Sequence, residues 1–216
     1  MKPIIVAMTG ASGAVYGVRV VQALVEAGKT VALVVSEAAR LVIREELQIQ
    51  PASYSKPEAL EAIFGASVRG HLEVYSPKEF TAPIASGSYP TEAMVIVPCS
   101  MGTLGALASG LSQNLIHRAA DCILKESRRL VIVPRETPLH AGHLENKLKL
   151  ARLGARIVPA MPGFYSGVKT VDELVDFMAG KILDQLDVAH SLYPRRTGLS
   201  AAQADVRRSI TGDLTS

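Results

Sequence analysis

Four stretches of small and hydroxylated residues break the apolar runs of this 216-residue chain: TGASGAVYG at 9–17, VVSEAA at 34–39, VPCSMGTLGALASG at 97–110 and VPRETPL at 133–139. Glycine and serine at such places let backbone N–H groups close on an anion. Four of them brought to one crevice would hold a phosphate-bearing cofactor; each taken singly is also what an ordinary strand-to-helix turn looks like. Gly10, Gly13 and Gly17 miss the G-x-G-x-x-G spacing of a dinucleotide site. Glu37 stands where a ribose partner would follow the second apolar run, but a carboxylate there also favours the dipole of a helix beginning at that point. Ser12 is not a nucleophile elbow, because G-x-S-x-G needs glycine where Ala14 stands. It reads as a hydroxyl donor at an anion site or as a helix cap.

Arg118 and Lys125 are seven apart on a helical pattern and so share a face. With Arg135 and Glu136 they form either a basic pocket for a second phosphate or a solvated helix surface. Tyr165 and Lys169 make the Y-x-x-x-K of short-chain dehydrogenases, a pair that needs a helix; Pro162, Gly163 and Gly167 around it argue against one. His140 and His143 lie three apart with no zincin glutamate between them, and His117 stands alone, so no metal is expected.

The elements that must carry these groups follow from hydrophobic pattern. Strands are expected at Pro3–Met8, Thr30–Val35, Leu72–Tyr75, Ala93–Val97, Leu130–Val133 and Arg156–Val158. The last of these and the two before it are each closed by proline. Helices are expected at Val18–Ala27, from Ser36 as cap to Leu47, and at Pro57–Phe64, Leu115–Glu126, Leu139–Leu153 and Val171–Leu186. Continuous apolar strands alternating with helices predict an α/β fold, a doubly wound and mainly parallel sheet with helices on both faces. The four small-residue loops then all lie beyond the carboxyl ends of strands, where such sheets bind ligands.

With 48% apolar and 20% charged residues the chain is globular, and no apolar run is long enough for a membrane span. No membrane insertion is expected. Cys99 and Cys122 offer no disulfide framework and suit a cytoplasmic protein. The net charge is +3, and four arginines against two aspartates after Pro194 supply most of it. The body is nearly neutral, aromatics are 5% and tryptophan is absent, so no nucleic-acid partner is expected. The division expected is a domain over 1–193 and a basic tail over 194–216.

Taken together, TGASGAVYG, VSEAARLV, TAPIASGS, VPCSMGTLGALASG, NLIHRAADCILKE, RRLVIVPRETPL, HLENKLKLARLGA and PAMPGFY resemble the flavin prenyltransferase family (UbiX type), from Lys2 to Pro194. The resemblance implies a Rossmann-like homo-oligomer, commonly a dodecamer, that binds FMN. It implies transfer of a dimethylallyl group from dimethylallyl phosphate to reduced FMN, without a metal. One bond forms at the central-ring nitrogen and one at the neighbouring aromatic carbon. Prenylated FMN is then delivered to a decarboxylase, including one in ubiquinone biosynthesis. By motif, Gly10, Ala11, Ser12, Ser36, Ser100, Met101, Gly102, Thr103 and Arg135 match the cofactor contacts. Tyr165 and Lys181 match the binding of dimethylallyl phosphate, with Arg118, Lys125 and Glu136 around its phosphate. Glu46 matches a carboxylate near the reacting centre, and by residue type Glu45 beside it is equivalent. Ser12, Glu46, Lys125 and Tyr165 are thus the implied catalytic set.

Two departures stand out. Some family members carry tryptophan soon after the Pro-Arg that ends the domain; here Arg195 is followed by Arg196. A related branch of flavoproteins that decarboxylates cysteine-containing substrates has a Pro-Ala-Met-Asn clamp, and here Pro162 replaces the asparagine after Pro159, Ala160 and Met161. That branch and a flavin carrier without chemistry are the alternatives.

Overall fold

In the computed structural model, which describes residues 2–49, 54, 56–164 and 169–195, the apolar runs become β1 (Ile4–Met8), β2 (Val31–Val35), β3 (Leu72–Tyr75), β4 (Ala93–Cys99), β5 (Arg129–Pro134) and β6 (Arg156–Ile157). They pair in parallel throughout, in the order β3-β2-β1-β4-β5-β6. β1, β2 and β4 are buried from end to end, which is why their sequences show no polar alternation. The period of two survives in the choice of core. Ile4, Val6 and Met8 enter one core with Val31, Leu33 and Val35, while Ile5 and Ala7 enter the other with Ala32 and Val34.

The helices are α1 (Ala14–Glu26), α2 (Glu37–Leu47), α3 (Pro57–Phe64), α4 (Met101–Ala108), α5 (Leu115–Lys125), α6 (Ala141–Arg152) and α7 (Val171–Leu186). Apolar residues of α1, α2, α3 and α7 fill the first core, and those of α4, α5 and α6 the second. The doubly wound reading holds.

Three local expectations change. α1 starts at Ala14 rather than Val18 and contains Gly17. A Cβ there would lie 2.7 Å from the carbonyl oxygen of Val97 and 2.6 Å from Met8 Cε, so this glycine lets the helix lie against the sheet rather than turning the chain. α4 was expected as loop, because Gly102 and Gly105 lower its helix propensity; the cap from Ser100 and packing against α5 and α6 override that. β4 and β5 run through Pro98 and Pro134 instead of stopping before them, and a register shift between Ile96 and Cys99 accommodates Pro98, which has no N–H to give.

Chain order reverses between β1 and β4, and the crevice beyond their carboxyl ends is the ligand position of such sheets. Thr9 ties its two sides together. The buried hydroxyl donates to the carbonyl of Pro98 at 2.9 Å and accepts from the N–H of Ser100 at 2.8 Å. Past α7 the chain reverses at Asp187 and folds back, with Tyr193 and His190 seated over Gly180. Residues 196–216, most of the expected tail, lie outside the described residues.

Candidate functional site

Two helices open onto the crevice with serine caps. Ser36 Oγ accepts from the N–H of Ala39 at 3.1 Å at the start of α2, and the Ser36 N–H is anchored to the carbonyl of Met8 at 3.0 Å. Ser100 Oγ accepts from the N–H of Thr103 at 3.3 Å and donates to Thr103 Oγ1 at 3.1 Å. Each helix therefore presents its N-terminal N–H groups and a positive dipole end just past a strand. A Cβ on Gly102 would meet nothing within 4 Å, leaving room against α4. Gly10 has a different reason: a Cβ there would lie 2.4 Å from that of Ala38, so the glycine lets the first loop close on α2. Ala11 is buried under the loop, and Met101 packs against the second core.

Beside this lies a cleft of about 330 Å³ whose polar lining is Ser12, Gly13, Tyr16, Glu46 and Arg135, with Val15, Ala160, Val171, Leu174 and Val175 as apolar walls. The α1 N-cap, Gly13, has φ 104 and no side chain with which to cap. Glu46 supplies the missing acceptor from α2. Its Oε2 accepts from the N–H of Ala14 at 2.8 Å, and its two oxygens lie 3.1 and 3.0 Å from the N–H of Gly13. Glu45 instead pairs with Arg44, so the fold distinguishes two carboxylates that the sequence leaves equivalent. Ser12 is exposed at the mouth. The Arg135 guanidinium has no salt bridge among the described residues. Tyr16 stands near both charges: burial pushes its phenol up, Arg135 pulls it down and Glu46 pushes it up, with a net rise that keeps it neutral. Sequence reasoning missed Tyr16, because a turn over 9–17 assigns it no face; its place in the first turn of α1 does.

The basic residues divide. On α5, Arg118 Nε donates to the carbonyl of Ala85 at 3.0 Å, and Lys125 Nζ is 2.6 Å from Glu126 Oε1. A Cβ on Gly87 would lie 2.5 Å from that ammonium, so both cations border the 85–89 turn. Arg128 fixes the turn through the carbonyls of Gly87 and Tyr89 at 2.7 and 2.8 Å. α5 runs back to the start of β5, which puts Lys125 at the opposite end of the sheet from the crevice. Lys125 therefore does not share a pocket with Arg135 and Glu136 within one chain. Glu136 is exposed after β5 and accepts from the N–H of Thr137 at 3.1 Å.

Lys181, on α7, lines a second cleft of about 520 Å³ with Ile157, Val158, Met161, Phe177 and Met178. Its Nζ lies 5.3 Å from the ring centre of Tyr193 and 5.8 Å from that of Phe177. Tyr165 lies outside the described residues, and Lys169 precedes Thr170, the N-cap of α7. His140 and His143 stack with ring centres 3.5 Å apart, and His117 is buried. No helix among the described residues is long and apolar enough to cross a membrane.

A doubly wound sheet with capped helix N-termini at its switch point defines a nucleotide-binding protein, and the family model described as Flavoprotein matches residues 1–183. The flavin prenyltransferase UbiX of Halalkalibacterium halodurans is 53% identical over 190 residues, covering 88% of this chain and 91% of that one. The crystal structure of AnUbiX (PadA1) in complex with FMN and dimethylallyl pyrophosphate superposes with a TM-score of 0.80 at 38% identity, covering 92% of this chain and 99% of the other. A dodecameric FMN-dependent UbiX-like decarboxylase from Escherichia coli gives a TM-score of 0.80 at 41% identity, over 92% and 100% of the two chains. The chain belongs to the flavin prenyltransferase family.

Proposed function

We propose that this protein transfers a dimethylallyl group from dimethylallyl phosphate to reduced FMN, making prenylated FMN for a partner decarboxylase. The observation that carries this reading is a flavoprotein sheet with two serine-capped helix N-termini past its strand ends and a cleft lined by Ser12 of the first loop, Glu46 of α2 and Arg135 at the end of β5.

The donor set suits FMN. The N–H groups of α2 and α4, with Ser36, Ser100 and Thr103, match a phosphate monoester. The α1 N-terminus is already filled by Glu46, so the flavin phosphate belongs to the other two. Gly10, Ala11, Ser12, Met101, Gly102 and Arg135 would surround the rest. When bound and reduced, FMN supplies the nucleophilic ring nitrogen and carbon. The protein's own part is electrostatic. As the allylic carbon–oxygen bond breaks, its electron pair leaves with the phosphate, and cations stabilise that developing charge. Lys181, Arg118 and Lys125 are suited to this, with Tyr165 donating a hydroxyl. Closing the second bond requires a proton delivered to the alkene carbon of the transferred group and the ring-carbon proton taken away, and Glu46, held by amide groups beside the cleft, or the released phosphate itself, would carry these protons.

Because Lys125 sits at the far end of its own sheet, it serves the crevice of a neighbouring copy, with Arg118 on the same helix face beside it. The assembly is then a closed homo-oligomer, and the dodecameric relative supports that reading. Both cysteines are free and buried, in keeping with a reducing cytoplasm.

Anaerobic incubation with reduced FMN and dimethylallyl phosphate, followed by mass spectrometry of the released flavin, tests the proposal. The expected product is FMN carrying one five-carbon prenyl unit. Unmodified FMN after many times the protein's concentration of substrate would refute prenyl transfer and leave a flavin carrier. Carbon dioxide release from a cysteine-ended peptide would indicate the decarboxylase branch.

A further inference from the structure

Lys181 and Asp184 are three residues apart on α7, the spacing at which opposite charges pair along a helix. They do not pair. Both oxygens of Asp184 are occupied from the returning chain: Tyr193 OH donates to Oδ2 at 2.5 Å, Arg195 donates to Oδ1 at 2.8 Å, and His190 Nε2 lies 3.1 Å from Oδ1. The His190 side chain is 4% exposed, and the N–H of Leu192 donates to its Nδ1 at 3.2 Å, so this is a packed clasp rather than a surface ion pair. Gly180 admits it. A Cβ there would lie 2.5 Å from Tyr193 Cδ1 and 2.7 Å from His190 Cε1. Lys181, next in sequence, lines a cleft whose wall also holds Arg156 and Gln185, with its ammonium beside the ring and hydroxyl of Tyr193 and with no salt bridge among the described residues.

We propose that the segment His190–Arg195 is a positioning device for Lys181. By saturating Asp184 and placing the Tyr193 ring behind the ammonium, it keeps that charge unpaired and directed to the departing phosphate of the allylic substrate. Tyr193 and Asp184 touch no substrate; they act through Lys181. The proposal rests on the assignment of Lys181 to that phosphate made above. It also gives the returning chain a role that needs no aromatic residue at Arg196.

The test uses the FMN-loaded, reduced protein and reads KM for dimethylallyl phosphate separately from kcat. Tyr193→Phe removes one hydroxyl and frees a carboxylate oxygen of Asp184 for Lys181. Gly180→Ala unseats the clasp without deleting any hydrogen-bonding group, and alanine favours a helix interior, so loss of α7 would not account for a defect. Each should raise KM about fivefold to tenfold and lower kcat with it, because Lys181 both holds the phosphate and stabilises its charge as the bond breaks, while FMN affinity stays at the wild-type value. Lys181→Ala should raise KM at least as much, and adding Tyr193→Phe to it should change nothing further, because coupled residues are not additive. Unchanged KM in Tyr193→Phe and Gly180→Ala, or a full further rise on adding Tyr193→Phe to Lys181→Ala, would overturn the positioning role. Wild-type KM in Lys181→Ala would overturn the underlying assignment as well, and is read without reference to Tyr193.

Discussion

Glu46→Gln separates two roles that one carboxylate can fill. In the structure Glu46 accepts from the N–H groups of Gly13 and Ala14, which no side chain of α1 caps. Glutamine keeps one acceptor oxygen and loses the charge. Hydrogen bonds to charged groups contribute about 1.5–3 kcal/mol against about 0.5–1.5 for neutral ones, and a carboxylate at a helix N-terminus adds about 0.3–1 kcal/mol. Glu46 is exposed, so solvent screening discounts these figures, and about 1 kcal/mol is the expected loss. In a chain of this size that lowers Tm by about 2–4 °C. The second role is proton transfer. Removing a general base typically costs a hundredfold or more, but the released phosphate can substitute, so a fall of about tenfold in single-turnover prenylation is expected. Thermal melting by circular dichroism, FMN titration and anaerobic stopped-flow on the same preparation give the three readings. FMN affinity should stay within about twofold of wild type, since the carboxylate's partners are backbone groups of α1. Unchanged melting would refute the capping geometry, and an unchanged single-turnover rate would remove Glu46 from the proton path.

Thr9→Val deletes the hydroxyl that bridges Pro98 and Ser100 and leaves both partners unsatisfied; FMN affinity should weaken about tenfold and return with Thr9→Ser, measured by flavin fluorescence titration. In the clasp, burial pushes the Asp184 carboxyl up, but hydrogen bonds from Tyr193, Arg195 and His190 outweigh it and hold the group below its usual range. A depressed carboxyl contributes stability that is present above the unfolded value and lost as pH falls through the folded one, so near-ultraviolet circular dichroism of the tyrosines should change below about pH 4 and not between pH 5 and 7. If Lys125 serves a neighbouring copy, mixing Lys125→Ala with Arg135→Ala subunits should regenerate up to about a quarter of wild-type activity from two inactive parents; activity no higher than that of the parents would argue for sites built within one chain.

Much of this protein is written locally. Strand runs such as Ile4–Met8 and Val31–Val35 are so apolar that only a sheet covered on both faces can hold them, and parallel order follows from the helices between them. The capping serines Ser36 and Ser100 were visible as residue types at strand ends, and the family resemblance was carried by motifs that remain contiguous in sequence. What the chain could not state alone depends on distant segments meeting. Gly17 reads as a turn until the sheet carbonyl of Val97 is brought against it. Glu46 differs from Glu45 only because α2 points one of them at the amides of α1, and Tyr16 gains its two charged neighbours by the same packing. Lys125 looks like a partner of Arg135 until α5 carries it to the other end of the sheet. Helix and strand propensity act over a few residues, whereas which groups share a cleft is fixed by the direction each element takes through the core, and that is a property of the tertiary fold.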